Sequence, residues 1–322
     1  MAKWKMALAA LALVAACDGN PWAEKEEDPV LPPGTDDPTA SSPIQRTEDV
    51  DDTGNGFAEG MSYNAADDTF TVDGLAFDGN NVYDRDDAVP DLGPFAVYEA
   101  RDLVRDPETG ADVPQFLHKA IYGVDPSGDV SFAIVRTGAY VPYGYGGWIY
   151  ERKGGVELPT TGQATYTGDY AALRDFDGRG GLEYATGMMD VAIDFEDFND
   201  GNGVQGQVYN RRILDIDGND ITDTVLTALN EQYDASATEL PVLNFKVGPG
   251  VTTKAGEMTG GLNSYIVNGS GTLDELEDGK YYAVLSGKKA GKIVGVLVVE
   301  GDDPRTDGVT VRETGGFILI RK

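Results

Sequence analysis

The stretch KIVGVLVVE, Lys292 to Glu300, is apolar at both parities. As a strand it places Ile293, Gly295, Leu297 and Val299 on one face and Val294, Val296 and Val298 on the other. A strand with one wet face alternates apolar with polar residues, so a run apolar on both faces is expected of a strand covered on both sides. A barrel strand with a filled interior on one face and a smaller sheet on the other meets that requirement.

Reading outward from this strand supplies the rest of the barrel. GQATYTGDYAAL (162–173) alternates, with Ala164, Tyr166, Gly168 and Tyr170 on one face and Thr165, Thr167 and Asp169 on the other. EYATGMMDVAIDF (183–195) does the same through Ala185, Gly187, Met189, Val191, Ile193 and Phe195. Period two over such lengths predicts half-buried antiparallel strands. Turn chemistry lies between them at Asp177-Gly178, Asp200-Gly201-Asn202-Gly203, Asp217-Gly218, Asp278-Gly279 and Asp307-Gly308. Eight strands are expected, near 162–171, 183–195, 203–215, 241–247, 256–267, 279–287, 291–300 and 309–321. Eight can close into a barrel whose side chains fill the interior. One helix is expected, DTVLTALNEQY, capped by Thr222, with Val225, Leu226, Leu229 and Tyr233 on one face.

Upstream, residues 56–155 carry further strands in TFTVDGLAF, PFAVYEAR, FLHKAIYGV, VSFAIVRTGAY and GWIYERKG. They predict a smaller sheet docked on the barrel of residues 156–322, an all-β fold in two parts. Residues 18–55 hold six prolines, eleven acids and only Lys25 and Arg46 as bases, which reads as a disordered spacer reaching about 35 Å. Residues 1–16 read as a secretory signal, charged at Lys3 and Lys5 and apolar from Met6 to Ala16.

Cys17, the single cysteine, follows Leu13-Val14-Ala15-Ala16. This resembles the bacterial lipobox, in which the cysteine sulfur takes a diacylglyceryl group; the other reading is an ordinary cleaved signal with an isolated thiol. Acyl chains at Cys17 would hold the protein to a membrane. Asp18 resembles an inner-membrane retention signal, and the outer membrane is the expected location all the same. Loss of Lys3 and Lys5 with the signal leaves 23 bases against 55 acids and takes the net charge from −30 to −32. Such a surface repels nucleic acid, whose binding depends on Lys and Arg at phosphates.

Little in the chain suggests catalysis or a cofactor. His118 is the single histidine, expected as a structural residue on a strand face with Phe116 and Ala120. With no thiol beyond Cys17 and no second histidine, Cys/His and Ser/His/Asp nucleophile systems would rest entirely on His118, and zinc sites of the usual Cys/His type have no material. Asp197, Asn199, Asp200 and Asn202 offer hard oxygens for calcium or make an ordinary turn, and DIDGND (215–220) poses the same choice. The densest candidate contact surface is GAYVPYGYGGWIYER, where Tyr140, Tyr143, Tyr145, Trp148 and Tyr150 crowd eleven residues. Aromatic rings on Gly-rich loops are frequent interface anchors. The alternative is that they pack the seam between sheet and barrel.

The barrel half also resembles a known group. The Gly162, Ala164, Tyr166, Gly168, Tyr170 strand, followed by Val191, Asp194, Phe195 and then Gly206, looks like the barrel domain of transferrin-binding protein B-like lipoproteins. GKYYAVLSGKKAGKIVGVLVVEG and VRETGGFILIRK look like its closing hairpins. One departure stands out: where the family has a proline and an acid in the penultimate hairpin, this chain has Lys289 and Lys292. The resemblance implies a lipid-anchored, non-enzymatic envelope protein that captures a ligand or protein partner, with metal or haem acquisition beside an outer-membrane transporter as its specific form. Transferrin binding belongs to a few members and is not implied. A structural or assembly lipoprotein is the alternative, and a carbohydrate-active enzyme using paired carboxylates is a third.

Overall fold

A computed structural model describes residues 29–196, 203–246 and 251–322. Cys17 and the signal, as well as the Asp197–Asn202 turn, lie outside the described residues.

The first half of the chain forms β1 (Ile44–Thr47), β2 (Gly60–Asn64), β3 (Thr69–Asp73), β4 (Val82–Arg85), β5 (Asp91–Leu92), β6 (Phe95–Ala100), β7 (Leu103–Arg105), β8 (Asp112–Pro114), β9 (His118–Val124), β10 (Val130–Thr137) and β11 (Gly146–Arg152). Nine of these make one sheet, in the order β1-β11-β10-β9-β6-β4-β3-β2 with β5 on β6, while β7 and β8 form a separate hairpin. The second half gives β12 (Gln163–Asp177), β13 (Glu183–Asp194), β14 (Val204–Leu214), α1 (Thr222–Tyr233), β15 (Leu243–Phe245), β16 (Glu257–Val267), β17 (Leu273–Ser286), β18 (Lys292–Asp302) and β19 (Thr310–Arg321). The eight strands from β12 to β19 close into an antiparallel barrel through β12 and β19.

β18 carries KIVGVLVVE and has the two covered faces its composition requires. Ile293, Leu297 and Val299 join the barrel interior with Tyr166, Met189 and Leu243. Val294 and Val296 lie in a second core with Phe95, Ile121, Phe132 and Trp148 of the small sheet. Burying each such aliphatic side chain stabilises the fold by about 1.5–3 kcal/mol. Two adjacent glycines of β19 serve the same two faces. A Cβ on Gly315 would meet the Tyr170 ring at 2.1 Å, and one on Gly316 would meet the Phe132 ring at 2.1 Å. Gly316 therefore lets the small sheet press onto the barrel wall.

Arginines stitch the two halves. Arg46 of β1 reaches Glu257 of β16 with Nε to Oε1 at 2.7 Å and Nη2 to Oε2 at 3.0 Å. Arg152 donates to the carbonyls of Ala255, Leu285 and Ser42 at 3.0, 2.7 and 2.8 Å. Arg136 grips Glu48 and donates to Thr314 Oγ1 at 3.0 Å. Arg312 of β19 pairs with Asp175 and donates to Asn55 Oδ1 and the Gly144 carbonyl. Lys292, which stands where the resembled family has an acid, spans to Asp125 at 2.5 Å and Asp129 at 3.0 Å in the β9–β10 turn.

The structure corrects three expectations. The spacer assigned to 18–55 is not free along its length: Ile44–Thr47 pairs with β11, and Ile44, Arg46 and Glu48 are buried. Asp278-Gly279 is no turn but lies inside β17, where Gly279 sits opposite Leu262 and Val299. The chain reverses earlier, at residues 268–272, where Asn268 Oδ1 accepts from the N–H groups of Ser270 and Thr272. Thr222 begins the helix without capping it; its Oγ1 accepts from the Ile213 N–H, and Asp220 takes the Thr222 N–H at 2.9 Å. Elsewhere β15 is shortened to three residues, and α1 fills the connection between the third and fourth barrel strands. No helix among the described residues is long and apolar enough to cross a membrane.

Candidate functional site

The five aromatic residues of 140–150 divide between interior and surface. On β11, Trp148 and Tyr150 are two residues apart and so share the face turned to the barrel. Trp148 is buried, stacked on Tyr150 at 5.9 Å and on Tyr282 of β17 at 5.4 Å, and Tyr150 is buried with it. Tyr143 is buried as well: its hydroxyl meets Thr310 Oγ1 at 2.9 Å and its ring lies 4.5 Å from the Arg312 guanidinium. Burial pushes its phenol up to about 12. Tyr143 and Tyr150 are thus seam packing, which corrects their assignment as contact residues, while Trp148 packs in the same seam and also lines a cleft beside β1.

Tyr140 and Tyr145 lie in the loop after β10, Tyr140 half-buried and Tyr145 exposed. They stand in a row of touching rings that the sequence does not bring together. Phe57 meets Tyr145 edge-on at 4.7 Å, and Tyr145 meets Tyr140 at 4.8 Å. Tyr140 meets Phe116 at 5.4 Å, and Phe116 meets Phe77 at 4.9 Å. Exposure is 57% at Phe77, 37% at Tyr145 and 59% at neighbouring Val141. Phe77 has φ of +60°, a left-handed conformation that costs a non-glycine residue about 1–2 kcal/mol. Its carbonyl accepts the Phe116 N–H at 2.8 Å, which ties the far end of the row to the strand carrying His118.

The row comes from four separate segments, so spacing alone does not reveal it. Phe77 carried the one available signal, a large apolar residue directly before an Asp-Gly turn.

His118 is buried at 1% exposure, with Nδ1 3.0 Å from the Phe116 carbonyl. Burial drives its pKa down to about 4. At neutral pH it is an uncharged core residue whose Nδ1–H donates to that carbonyl. In the 215–220 turn, Asp215 takes the N–H groups of Asp217 and Asn219 and the Asn219 side chain, so its oxygens serve the turn.

No protein-family model matches the chain, and a search of curated proteins returns no match. Among solved structures, a point mutant of transferrin-binding protein B from Haemophilus parasuis aligns with 87% of this chain and 46% of its own, at 11% identity and TM-score 0.41. The isotype 1 transferrin-binding protein B of serogroup B Neisseria meningitidis aligns with 86% of this chain and 43% of its own, at 11% identity and TM-score 0.37. The chain spans less than half the length of these two proteins. The likeness is one of fold.

Proposed function

We propose that the chain is a lipid-anchored binding protein of the bacterial envelope, tethered through Cys17, which captures a protein partner on the Phe57–Tyr145–Tyr140–Phe116–Phe77 row without catalysis. The observation that carries this reading is the row itself. Five rings touch in sequence, Phe77 and Tyr145 exposed and the other three half-buried, and Phe77 is held exposed in a left-handed backbone conformation. Aromatic rings locked against one another present large contact area with little side-chain entropy left to lose. Backbone strain that persists at a surface site accords with a contact role. The net charge of −30 favours a partner with a basic face.

Delivery of a metal or haem to an outer-membrane transporter is the specific role the family resemblance implies. The test is co-purification from envelope extracts with the full chain as bait. A Tyr140→Ala/Tyr145→Ala variant that keeps its melting temperature should lose the captured partner, and a partner retained by it overturns the assignment. Cys17→Ser should move the protein from the membrane to the soluble fraction; continued membrane association would remove the anchor from the proposal.

A further inference from the structure

A cleft of about 400 Å³ opens where the chain leaves β1 and crosses the outer wall of β17 and β18. Its apolar wall is the stacked pair Trp148 and Tyr282. Its rim carries Asp49 and Asp51 from the crossing segment, Asp278 from β17 and Glu300 from β18. Glu48 also lines it but is held by Arg136, and Asp278 is paired with Lys246. Among the described residues the side chains of Asp49 and Glu300 have neither hydrogen bond nor ion pair, although the Arg312 charge acts on Glu300, and the Asp51 side chain accepts only from uncharged Thr53 and Asn55. Lys280 is the one cationic side chain among the described residues that lines the cleft.

Two further observations turn this from a patch of acid into a site. The Trp148 indole is buried at 2% exposure, and its Nε1 finds no acceptor among the described residues. A buried donor without a partner is costly, and a ligand that brings an acceptor relieves the cost. The negative field also reaches the aromatic wall: burial first, then the charges of Asp49 and Glu48, raise the Tyr282 phenol above its ordinary range. No three carboxylates among the described residues converge as a metal set, so the geometry does not favour a bare ion. The space suits an organic cation whose flat or methylene body lies on the rings.

We infer that this cleft receives the arginine or lysine side chain of a basic polypeptide segment. The cation sits among Asp49, Asp51 and Glu300, the side-chain stem lies on the Trp148–Tyr282 wall, and a carbonyl of the segment answers the indole N–H. The site is separate from the aromatic row, and its test does not depend on that row.

The experiment titrates the purified full chain at physiological salt with a short capped peptide carrying one central arginine, and in parallel with argininamide and with calcium, by calorimetry. Because the whole surface is acidic, the control must hold net charge fixed. Asp49→Asn/Glu300→Gln should weaken the peptide by about tenfold or more, while Asp177→Asn/Asp307→Asn, which removes two distant acids, should change it less than about twofold. Trp148→Phe keeps the stack, removes the donor and should weaken the peptide by several fold with the melting transition retained. Tyr140→Ala/Tyr145→Ala should leave this titration unchanged. Equal loss in the two acid doubles means general polyanion attraction and overturns the site. Argininamide binding as tightly as the peptide, or calcium binding that the Asp49/Glu300 double abolishes, overturns the polypeptide assignment, as does the absence of measurable binding.

Discussion

Arg46 and Glu257 meet in a buried two-pronged ion pair across the two halves of the molecule, with side chains 7% and 0% exposed. The partners are 211 residues apart in sequence, and Arg46 lies in a segment rich in proline and acid. Removing one member leaves the other charged, buried and unanswered. Arg46→Ala or Glu257→Gln should therefore cost about 3–5 kcal/mol in urea unfolding. The exposed pair Arg101–Asp84 serves as control, and Arg101→Ala should cost no more than about 1 kcal/mol. A fragment starting at residue 56 lacks β1, Arg46 and Glu48 and should unfold at lower urea than one starting at residue 29. Equal midpoints for the two fragments would show that β1 contributes nothing.

Gly316 and Phe132 define how closely the small sheet can approach. A methyl group at 316 would sit 2.1 Å from a ring packed within the seam core. Gly316→Ala should destabilise by about 1–3 kcal/mol through overpacking. Gly154→Ala, with no atom within 4 Å of the new Cβ, should stay within about 0.5 kcal/mol of the parent. Combining Gly316→Ala with Phe132→Leu should recover part of the loss. A double variant less stable than the sum of the singles would place the clash elsewhere.

The barrel was legible because period-two alternation survives in long strands with one wet face, and because KIVGVLVVE reports its two dry faces directly. The seam was less so. Ile44, Arg46 and Glu48 alternate inward, yet composition weighs Arg and Glu as solvated and does not foresee that they will be answered by Glu257 and Arg136. Strand parity places Trp148 and Tyr150 on one face, which is the buried one. Tyr140, Tyr143 and Tyr145 lie outside strands and follow no period, so their fates depend on partners such as Thr310, Arg312 and Phe57 that come from distant segments. At the helix start Thr222 Oγ1 is drawn to the backbone of Ile213 and so caps no helix N–H, while Asp220 takes the N–H of Thr222 itself.

His118 should make stability fall in mild acid. Its folded pKa is about 4 because burial disfavours the charged ring, against 6.5 for the unfolded chain. Above pH 6.5 the ring is neutral in both states and the full contribution is present. As pH drops below 6.5 the unfolded state takes up the proton first, and stability is lost until pH passes through about 4. At about 1.4 kcal/mol per pH unit, the total is on the order of 3 kcal/mol. Carboxylates also titrate near the lower end of this window, so the informative quantity is the difference from His118→Phe. That variant should show a flatter stability profile between pH 6.5 and 4.5. Parallel profiles for the two proteins would mean the ring takes up its proton without opening the core.

The division of the five aromatic residues can be tested by stability alone before any partner is known. Trp148 and Tyr150 sit in the seam core, so replacing either with alanine should cost about 3–5 kcal/mol. Tyr145 is more than a third exposed, and its ring contacts are with Phe57 and Tyr140 at the surface. Tyr140→Ala and Tyr145→Ala should each cost about 1–3 kcal/mol, less than the seam residues, since each removes two edge-on ring contacts of the kind worth about 0.5–1.5 kcal/mol and little buried area besides. Phe77→Gly goes further: glycine tolerates φ of +60°, so losing an exposed ring while relieving a strained backbone should leave stability unchanged or raised. A protein that grows more stable by losing Phe77 is one in which that ring is retained for contact rather than for folding. Marked destabilisation by Phe77→Gly would instead make the row a structural brace and remove the basis for a partner there.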